Sequence, residues 1–216
     1  MRALTALAAA LAVVAGTAAA ARAPSAIRAS CGAGNRFECG QRVLTAATWT
    51  WRSLHRRLHV PRRAPGSACP VSPRPSVDLG SEGVQTLPGK GPAYPNPGYG
   101  GTTLNFIWPP QPDQQDFYGT GWSGNKVLWW VSGSYTGPVL IRGRQVDGKH
   151  LVRFEVGRPP PRELRIAPGR GPSEWNGARS RPSYTRVQAP GCYGYQVDGI
   201  GFSRVIVFEA RIQNAS

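Results

Sequence analysis

The stretch Cys192-Tyr-Gly-Tyr-Gln-Val-Asp-Gly-Ile-Gly-Phe-Ser-Arg-Val-Ile-Val-Phe-Glu-Ala-Arg-Ile212 decides the fold. Apolar and polar side chains alternate along its second half, which is typical of a β-strand with one buried face. Asp198-Gly199 is a turn dipeptide of tight hairpins, so we expect two antiparallel strands joined there. The alternation places four apolar residues on one face of the second strand: Phe202, Ile206, Phe208 and Ile212.

Upstream of this hairpin the chain continues as short strand-like segments, with a second Asp-Gly turn at Asp147-Gly148. Gly and Pro make up 27 and 21 of the 216 residues, and 40% of the chain is hydrophobic. Such a composition indicates many short strands joined by turns, and with no interleaved helices it predicts an all-β antiparallel β-sandwich over residues 69–216. The expected strands are residues 84–87, 102–108, 126–132, 138–146, 151–156, 163–166 and 183–187, followed by 192–197 and 202–212 in the hairpin.

The N-terminus has the layout of a secretory signal peptide. Arg2 is followed by an apolar run of Ala, Leu and Val, and small residues suited to cleavage follow directly. We therefore assign residues 1–23 as a signal peptide and expect a secreted or cell-envelope protein that can keep disulfides. No later apolar run approaches the roughly 20 residues of a membrane span.

Four cysteines follow this segment, an even number that favours two disulfides. Three pairings are possible. Cys31 and Cys39 enclose a glycine-rich loop that is easy to close, which leaves Cys69 and Cys192 for a long closure. Metal ligation is the competing use, but the chain has no CxxC pair.

Residues 24–68 have the composition of a basic arm, with eight arginines against one acid, a net charge of +7. Apolar residues at three- and four-residue spacing predict one amphipathic helix over residues 41–59 within this helical or flexible arm. The arm either packs its apolar face on the β-domain or lies on an anionic surface. The arginines available for such a surface are Arg52, Arg56, Arg57, Arg62 and Arg63.

The whole chain carries a formal charge of +15. This charge favours contact with an anionic envelope polymer or lipid, or it reflects an arginine-rich composition that keeps the protein in solution. Nucleic acid is an unsuitable partner for an exported protein, and the sequence has no nucleic-acid recognition pattern.

The order of several motifs resembles a group of exported bacterial proteins of unknown function with an immunoglobulin-like β-sandwich. The matching pieces are Cys69-Pro-Val71, Lys126-Val-Leu-Trp-Trp130, Gly137 to Asp147, and Pro190-Gly-Cys-Tyr193. The resemblance covers residues 69–216 and implies a disulfide between Cys69 and Cys192. It implies no activity and no catalytic residues.

Candidate catalytic and metal-binding residues form no coherent set. Asp113 and Asp116 are the closest carboxylates and suit a glycosidase pair or a calcium site, but side chains three apart in one loop rarely flank a sugar ring. His55 and His59 stand four residues apart, with arginines between them and no evident third ligand. We predict no catalytic residue, no metal and no cofactor.

The aromatic residues give the strongest binding signal, because exposed Trp and Tyr rings stack on sugars. Trp129 and Trp130 must point to opposite faces of their strand, so one is in the core and the other is exposed or covered by a loop. We predict a non-enzymatic binding or structural module of the cell envelope, with an extracellular glycan-acting hydrolase or carbohydrate-binding module as the alternative. The candidate aromatic surface comprises Trp122, Trp130, Trp175 and Tyr118.

Overall fold

Short segments rich in β-branched and aromatic residues form eleven strands in the computed structural model, which describes residues 49–98 and 101–213. One helical turn, α1 (Trp51–Leu54), precedes them, and 3₁₀ turns occupy Gly80–Glu82 and Ser173–Trp175. The strands are β1 (Ser76–Asp78), β2 (Val84–Thr86), β3 (Ala93–Asn96), β4 (Thr103–Phe106), β5 (Ser123–Val131), β6 (Val139–Gln145), β7 (Arg153–Phe154), β8 (Leu164–Ile166), β9 (Arg179–Val187), β10 (Gly191–Gly199) and β11 (Phe202–Ile212).

Two sheets pack face to face, which confirms the predicted all-β class. The five-stranded sheet has the order β4-β11-β10-β6-β8, and the four-stranded sheet has the order β3-β5-β9-β7. All neighbouring strands are antiparallel except β4 and β11, which are parallel. The core between the sheets is drawn from both, and its largest side chains are Trp129, Tyr193, Tyr195, Phe106, Phe154 and Phe208.

A segment ahead of the strands, residues 54–72, covers the outer face of the five-stranded sheet, and we name it the strap. Leu54 and Val60 are buried there, Val60 against an apolar cluster that includes Val207 of β11. The Ser72 backbone N–H donates to the Val207 carbonyl, and the Val207 N–H donates to the Ser72 hydroxyl, both at 2.9 Å. Because of this cover, β10 is buried on both faces along nearly its whole length.

The predicted disulfide between Cys69 and Cys192 is present and fastens the strap to β10. Its Cα atoms lie 5.3 Å apart and its cysteines are 123 residues apart in the chain. Cys192 faces the strap on the outer side of the sheet rather than the core between the sheets. The predicted partner bond, Cys31–Cys39, lies outside the described residues, as do the signal peptide and the rest of the arm before residue 49.

The amphipathic helix expected over residues 41–59 is wrong for its described part. The Thr50 hydroxyl accepts from the Ser53 N–H and begins α1, but the helix ends at Leu54. Beyond that point the strap backbone bonds to side chains of the sheet. Arg142 donates to the Arg56 carbonyl at 2.5 Å, and the His59 N–H donates to Gln196 Oε1 at 2.6 Å. These bonds replace the intrahelical bonds that the apolar spacing predicted.

The hairpin between β10 and β11 turns two residues later than the sequence suggests. Gly199 pairs with Phe202, so the turn residues are Ile200 and Gly201, and Gly201 supplies the left-handed conformation with φ 81°. Asp198 is therefore a strand residue on the outer face of the sheet. The other pair, Asp147-Gly148, does lie in a connection. This connection follows β6 and leads to Leu151, which forms an isolated antiparallel bridge with Arg144 of β6.

A second cover lies over the four-stranded sheet. β1 and β2 pair as a small hairpin, and Leu79 and Leu87 from this region are fully buried against Trp130 of β5. β1 and β3 are strands that the sequence pattern did not indicate. Within the described part of the chain, no helix is long and apolar enough to cross a membrane.

Candidate functional site

The structure distributes the four candidate aromatic residues over two ends of the four-stranded sheet. Trp122 directly precedes β5, whose first residue Ser123 pairs with Val187. Trp130 lies near the other end of β5 and pairs with Ser180. From Ser123 to Val131 the strand advances by eight residues, roughly 26 Å at 3.3 Å per residue. The four residues predicted to form one aromatic surface therefore lie in two separate places.

Trp130 is not a surface residue, which corrects its assignment to the candidate aromatic surface. Its side chain is 2% exposed, and the Trp175 ring packs on it edge-to-face with centroids 5.4 Å apart. Trp129, on the opposite face, is fully buried between the sheets. Of the two tryptophans, Trp129 is therefore in the core and Trp130 is covered by a loop. The ring that covers it, Trp175, is itself partly exposed.

Tyr118 and Trp122 lie at the β7 end of the sheet and are joined to β7 and the loop that follows it. The Arg153 guanidinium of β7 lies over the Trp122 ring, 5.5 Å from its centroid. Arg158 donates from Nη2 to the Tyr118 carbonyl at 3.0 Å, and the Tyr118 side chain is 49% exposed. Two of the four predicted aromatic residues are thus brought together, each with an arginine.

A second arginine, Arg162, lies near Arg153. The Phe154 N–H donates to the Pro161 carbonyl at 3.0 Å, which closes the loop after β7 and brings Arg162 next to Arg153. Burial, and then the charge of Arg162, lower the pKa of Arg153. Among the described residues neither arginine has a carboxylate within ion-pair distance, and Arg153 Nε is buried without a hydrogen-bond partner. We name Tyr118, Trp122, Arg153, Arg158 and Arg162 the arginine–aromatic surface.

A groove of about 510 Å³ lies beside Trp175, at the other end of the sheet. Arg165 of β8 and Arg179 and Arg181 of β9 line it, and no acidic side chain is among the described residues of its lining. Arg179 is anchored, because its guanidinium donates to the carbonyls of Ala167, Tyr135 and Gly137. Burial lowers the pKa of Arg179.

The other two groove arginines carry internal counter-ions. Arg165 lies 2.5 Å from a carboxylate oxygen of Glu163, and Arg181 lies 2.6 Å from one of Glu155. Both guanidinium side chains stay about half exposed, at 50% and 47%. These ion pairs lie near solvent, where such contacts stabilise a fold only weakly.

Four of the five arm arginines predicted to meet an anionic surface, Arg52, Arg57, Arg62 and Arg63, are exposed. Arg56 is the exception, because its guanidinium donates to the Phe202 carbonyl at 2.7 Å and lies 3.4 Å from Asp198. It is thus engaged in holding the strap on the sheet and is not positioned for an external anion.

Asp113 and Asp116 lie on one turn of an exposed loop and line a cavity of about 370 Å³ with Phe117 and Tyr184. Beneath this loop the fully buried Arg186 donates to the Asp116 carbonyl at 2.6 Å and lies 4.7 Å from the Phe117 ring centroid. Burial lowers the pKa of Arg186, and the Asp116 charge opposes that shift. The loop thus covers a buried cation.

The two histidines do not share a helix face. His55 Nε2 lies 2.8 Å from a carboxylate oxygen of Glu163, whereas His59 bonds through its backbone to Gln196. Over residues 49–98 and 101–213, no group of three or more potential ligands is arranged to hold a metal ion.

Asp198 is the structurally important residue that sequence reasoning missed. Its dipeptide context predicted a turn, and nothing in a single sequence marks it as a buried carboxylate. The available signal was weaker: Gln196 and Asp198 alternate with Tyr195 and Val197, as expected for a strand that extends to residue 199.

No protein-family model, no curated protein and no solved structure matches this chain.

Proposed function

We propose that this protein is an exported, non-enzymatic, immunoglobulin-like binding module of the cell envelope, and that it binds an anionic polymer or glycan. Export is supported by the signal-peptide pattern of residues 1–23 and by a disulfide of the kind that persists in oxidising compartments.

The immunoglobulin-like assignment is supported by a tyrosine corner. The Tyr193 hydroxyl donates to the Ala189 carbonyl at 2.8 Å, four residues upstream at the corner between β9 and β10. A bond of this kind at the equivalent corner is a hallmark of immunoglobulin-like sandwiches. Two residues later Tyr195 packs edge-to-face on Trp129, with centroids 5.1 Å apart, and bonds to the Thr185 hydroxyl at 2.9 Å. These contacts link the two sheets where antibody domains place their inter-sheet disulfide.

The binding function rests on one observation: the Arg153 guanidinium lies over the Trp122 ring, and the Phe154–Pro161 backbone bond brings Arg162 close enough for its charge to act on Arg153. Two like charges without a carboxylate repel each other, and an external anion relieves that repulsion. The Trp122 ring stacks against one of them, and the exposed ring of Tyr118 offers a flat apolar face at the same place. This combination suits a ligand that carries both sugar rings and anionic groups.

A glycan-acting hydrolase is the weaker alternative. Glycosidases use two carboxyl groups on opposite sides of the scissile bond, roughly 5 to 10 Å apart. Asp113 and Asp116 line one cavity, but both belong to the same exposed turn. We therefore assign the cavity no catalytic role.

The test is retention of the purified protein on immobilised polygalacturonate and on a glycan array, at low and high salt. We expect retention that weakens as salt rises, because arginine–anion contacts are screened. The double variant Arg153→Gln/Arg162→Gln removes both guanidinium groups and should weaken binding about tenfold or more, since a hydrogen bond to a charged group contributes roughly 1.5–3 kcal/mol.

The matched control is Arg74→Gln/Arg204→Gln, which removes the same charge from two exposed arginines outside the arginine–aromatic surface. It should shift binding about twofold at most, through the net charge alone. An equal loss in the control, or no retention of the unaltered protein on any acidic glycan, would contradict the proposal.

A further inference from the structure

The groove beside Trp175 lies at an open edge of the sandwich. β7 pairs only with residues 185 and 186 of β9, so residues 179–183 have no strand partner on that side. β8 is the edge strand of the other sheet. Ile166 of β8 and Ser180 of β9 both line the groove, which therefore lies between the two edges. Its volume of about 510 Å³ is in the range of small-molecule sites.

Two arginines of β9 point to the same side of their strand at this edge. Arg179 and Arg181 are two residues apart, roughly 7 Å along the strand. They pair across the sheet with core residues of β5, so both lie on the inner face of the four-stranded sheet. Arg165 of β8 points to the outer face of its own sheet, where its guanidinium lies 5.2 Å from the Trp51 ring centroid. The groove thus has two guanidinium groups on one wall.

Only one of these two guanidinium groups has a counter-ion among the described residues. Arg181 is paired with Glu155, and its side chain stays about half exposed. Arg179 donates to carbonyl groups alone, and its Nε is buried without a hydrogen-bond partner. Since no acidic side chain is among the described residues of the lining, the groove holds one positive charge that a singly charged anion would balance.

The edge of β9 adds a backbone donor. The Glu155 N–H donates to the Tyr184 carbonyl on the β7 side at 3.1 Å. Alternate residues of an antiparallel strand direct their backbone groups to the same side, so those of Ser180 point away from β5 and into the open edge. Pro182, between them, has no N–H, which makes this edge unsuited to an added strand. The Ser180 N–H is therefore placed to donate to a ligand in the groove.

The rest of the groove offers apolar surface. Ile166 and Pro172 line it together with the partly exposed Trp175, whose ring is held edge-to-face on the buried Trp130. A flat ring packs favourably on such a surface. Apolar walls with a few convergent polar groups are typical of sites for small ligands.

From this geometry we infer that the groove binds a small carboxylic acid that carries one carboxylate on a ring. The carboxylate lies against Arg181 and the Ser180 N–H, near the fixed charge of Arg179, and the ring packs on Trp175. The planar fork of a guanidinium matches a carboxylate, which favours this anion. The groove site is separate from the arginine–aromatic surface and does not depend on the proposed polymer binding.

Isothermal titration calorimetry of the purified protein tests this site with benzoate and with D-galacturonate, each compared with its uncharged amide. We expect at least one of the two acids to bind, about tenfold or more tightly than its amide, because bonds to a charged acceptor are the stronger ones. The acid that binds more tightly distinguishes an aromatic acid from a sugar acid as the source of the carboxylate.

Two substitutions should change the affinity for the acid in opposite directions. Arg181→Gln should lower it about tenfold and abolish the preference over the amide. Glu155→Gln should raise it about threefold, because the acid no longer competes with an internal carboxylate for Arg181. Arg204→Gln is the matched control, since it removes one exposed arginine outside the groove and should change the affinity less than about twofold.

The Arg153→Gln/Arg162→Gln variant separates this site from the proposed polymer site, and it should bind the acid within about twofold of the unaltered protein. Loss of binding in that variant would place the acid on the arginine–aromatic surface and overturn the groove site. Failure of both acids to bind, amides that bind as tightly as the acids, or equal effects of Arg181→Gln and Arg204→Gln would also overturn it. These three outcomes leave polygalacturonate binding to its own test.

Discussion

The Arg142 guanidinium lies 2.8 Å from a carboxylate oxygen of Asp198, a side chain with no exposed surface. Arg56 of the strap approaches the other oxygen at 3.4 Å, and the Ser203 hydroxyl donates to it at 2.7 Å. Three strands and the strap therefore meet at one carboxylate. Because each partner satisfies a charge or a lone pair that is out of water, the strap and the sheet depend on each other electrostatically.

Replacing Asp198 with asparagine should cost about 3 kcal/mol of the free energy of unfolding. The amide keeps the shape but removes the charge, which leaves Arg142 and Arg56 in a largely buried place without a counter-ion. Urea denaturation measures the loss. Glu209→Gln is the matched control, since it breaks an exposed pair with Arg211 and should change the free energy by less than about 1 kcal/mol. If the two substitutions lowered the free energy of unfolding equally, the charge of Asp198 would contribute no more to stability than that of an exposed ion pair.

The Cys69–Cys192 bond should stabilise the protein by roughly 2–5 kcal/mol, because it closes a long loop in the unfolded chain. In the Cys69→Ala/Cys192→Ala variant we expect a lower denaturation midpoint and faster hydrogen exchange at the strap amides of His59 and Arg63. Those amides donate to Gln196 Oε1 and to the Val146 carbonyl, so their exchange reports whether the strap stays on the sheet. Unchanged exchange at both would mean that noncovalent contacts alone hold the strap.

Much of the β-domain follows from local pattern. Alternation located the strand at residues 202–212, which β11 matches in both bounds, and the spacing of turn residues gave the all-β class. Loop closure also identified the Cys69–Cys192 pair. These features depend on neighbours in the chain or on cysteine count, which a sequence displays directly.

The features that the sequence did not reveal depend on long-range contacts. The apolar residues of the arm do pack on the β-domain, but in an irregular segment: Leu54 and Val60 are buried, and Val60 contacts residues that lie more than 80 positions later in the chain. Likewise Trp130 is buried only because the β1–β2 hairpin and Trp175 cover it. The arginine–aromatic surface brings the residues before β5 against β7 and the loop after it, and this meeting depends on how those strands are placed in the sheet.

Stability should fall as the pH rises above about 10, owing to Tyr193 and Tyr195. Burial is the main cause that raises the pKa of both phenols in the folded protein, well above the ordinary value near 10. The unfolded chain therefore loses their protons first, so their stabilising contribution is complete below about pH 10 and is lost as the pH rises toward the folded-state values. Each tyrosine contributes a slope of about 1.4 kcal/mol per pH unit.

Urea unfolding of the unaltered protein and of Tyr193→Phe, at closely spaced pH values above 9, isolates this contribution. The variant should lose about 1 kcal/mol at neutral pH, with its bond to the Ala189 carbonyl, and should show a shallower decline at high pH by one tyrosine's slope. Parallel declines in the two proteins would mean that Tyr193 ionises as readily in the folded chain as in the unfolded one.

The backbones of β5 and β9 approach each other closely at Gly124. A Cβ atom there would lie 1.9 Å from the Thr185 carbonyl oxygen and 3.0 Å from the Arg186 Cα, both of them backbone atoms that cannot rotate away. Gly124→Ala should therefore lower the free energy of unfolding by about 2 kcal/mol or more, by forcing the paired strands apart. Gly101→Ala is the control, because its nearest neighbour is 3.6 Å away, and we expect a change within about 0.5 kcal/mol. Arg153 pairs with Arg186 at the same place, so displacement of β9 should also weaken polygalacturonate binding in Gly124→Ala alone. A stable Gly124→Ala protein with unaltered binding would show that β5 and β9 are farther apart there than the structure indicates.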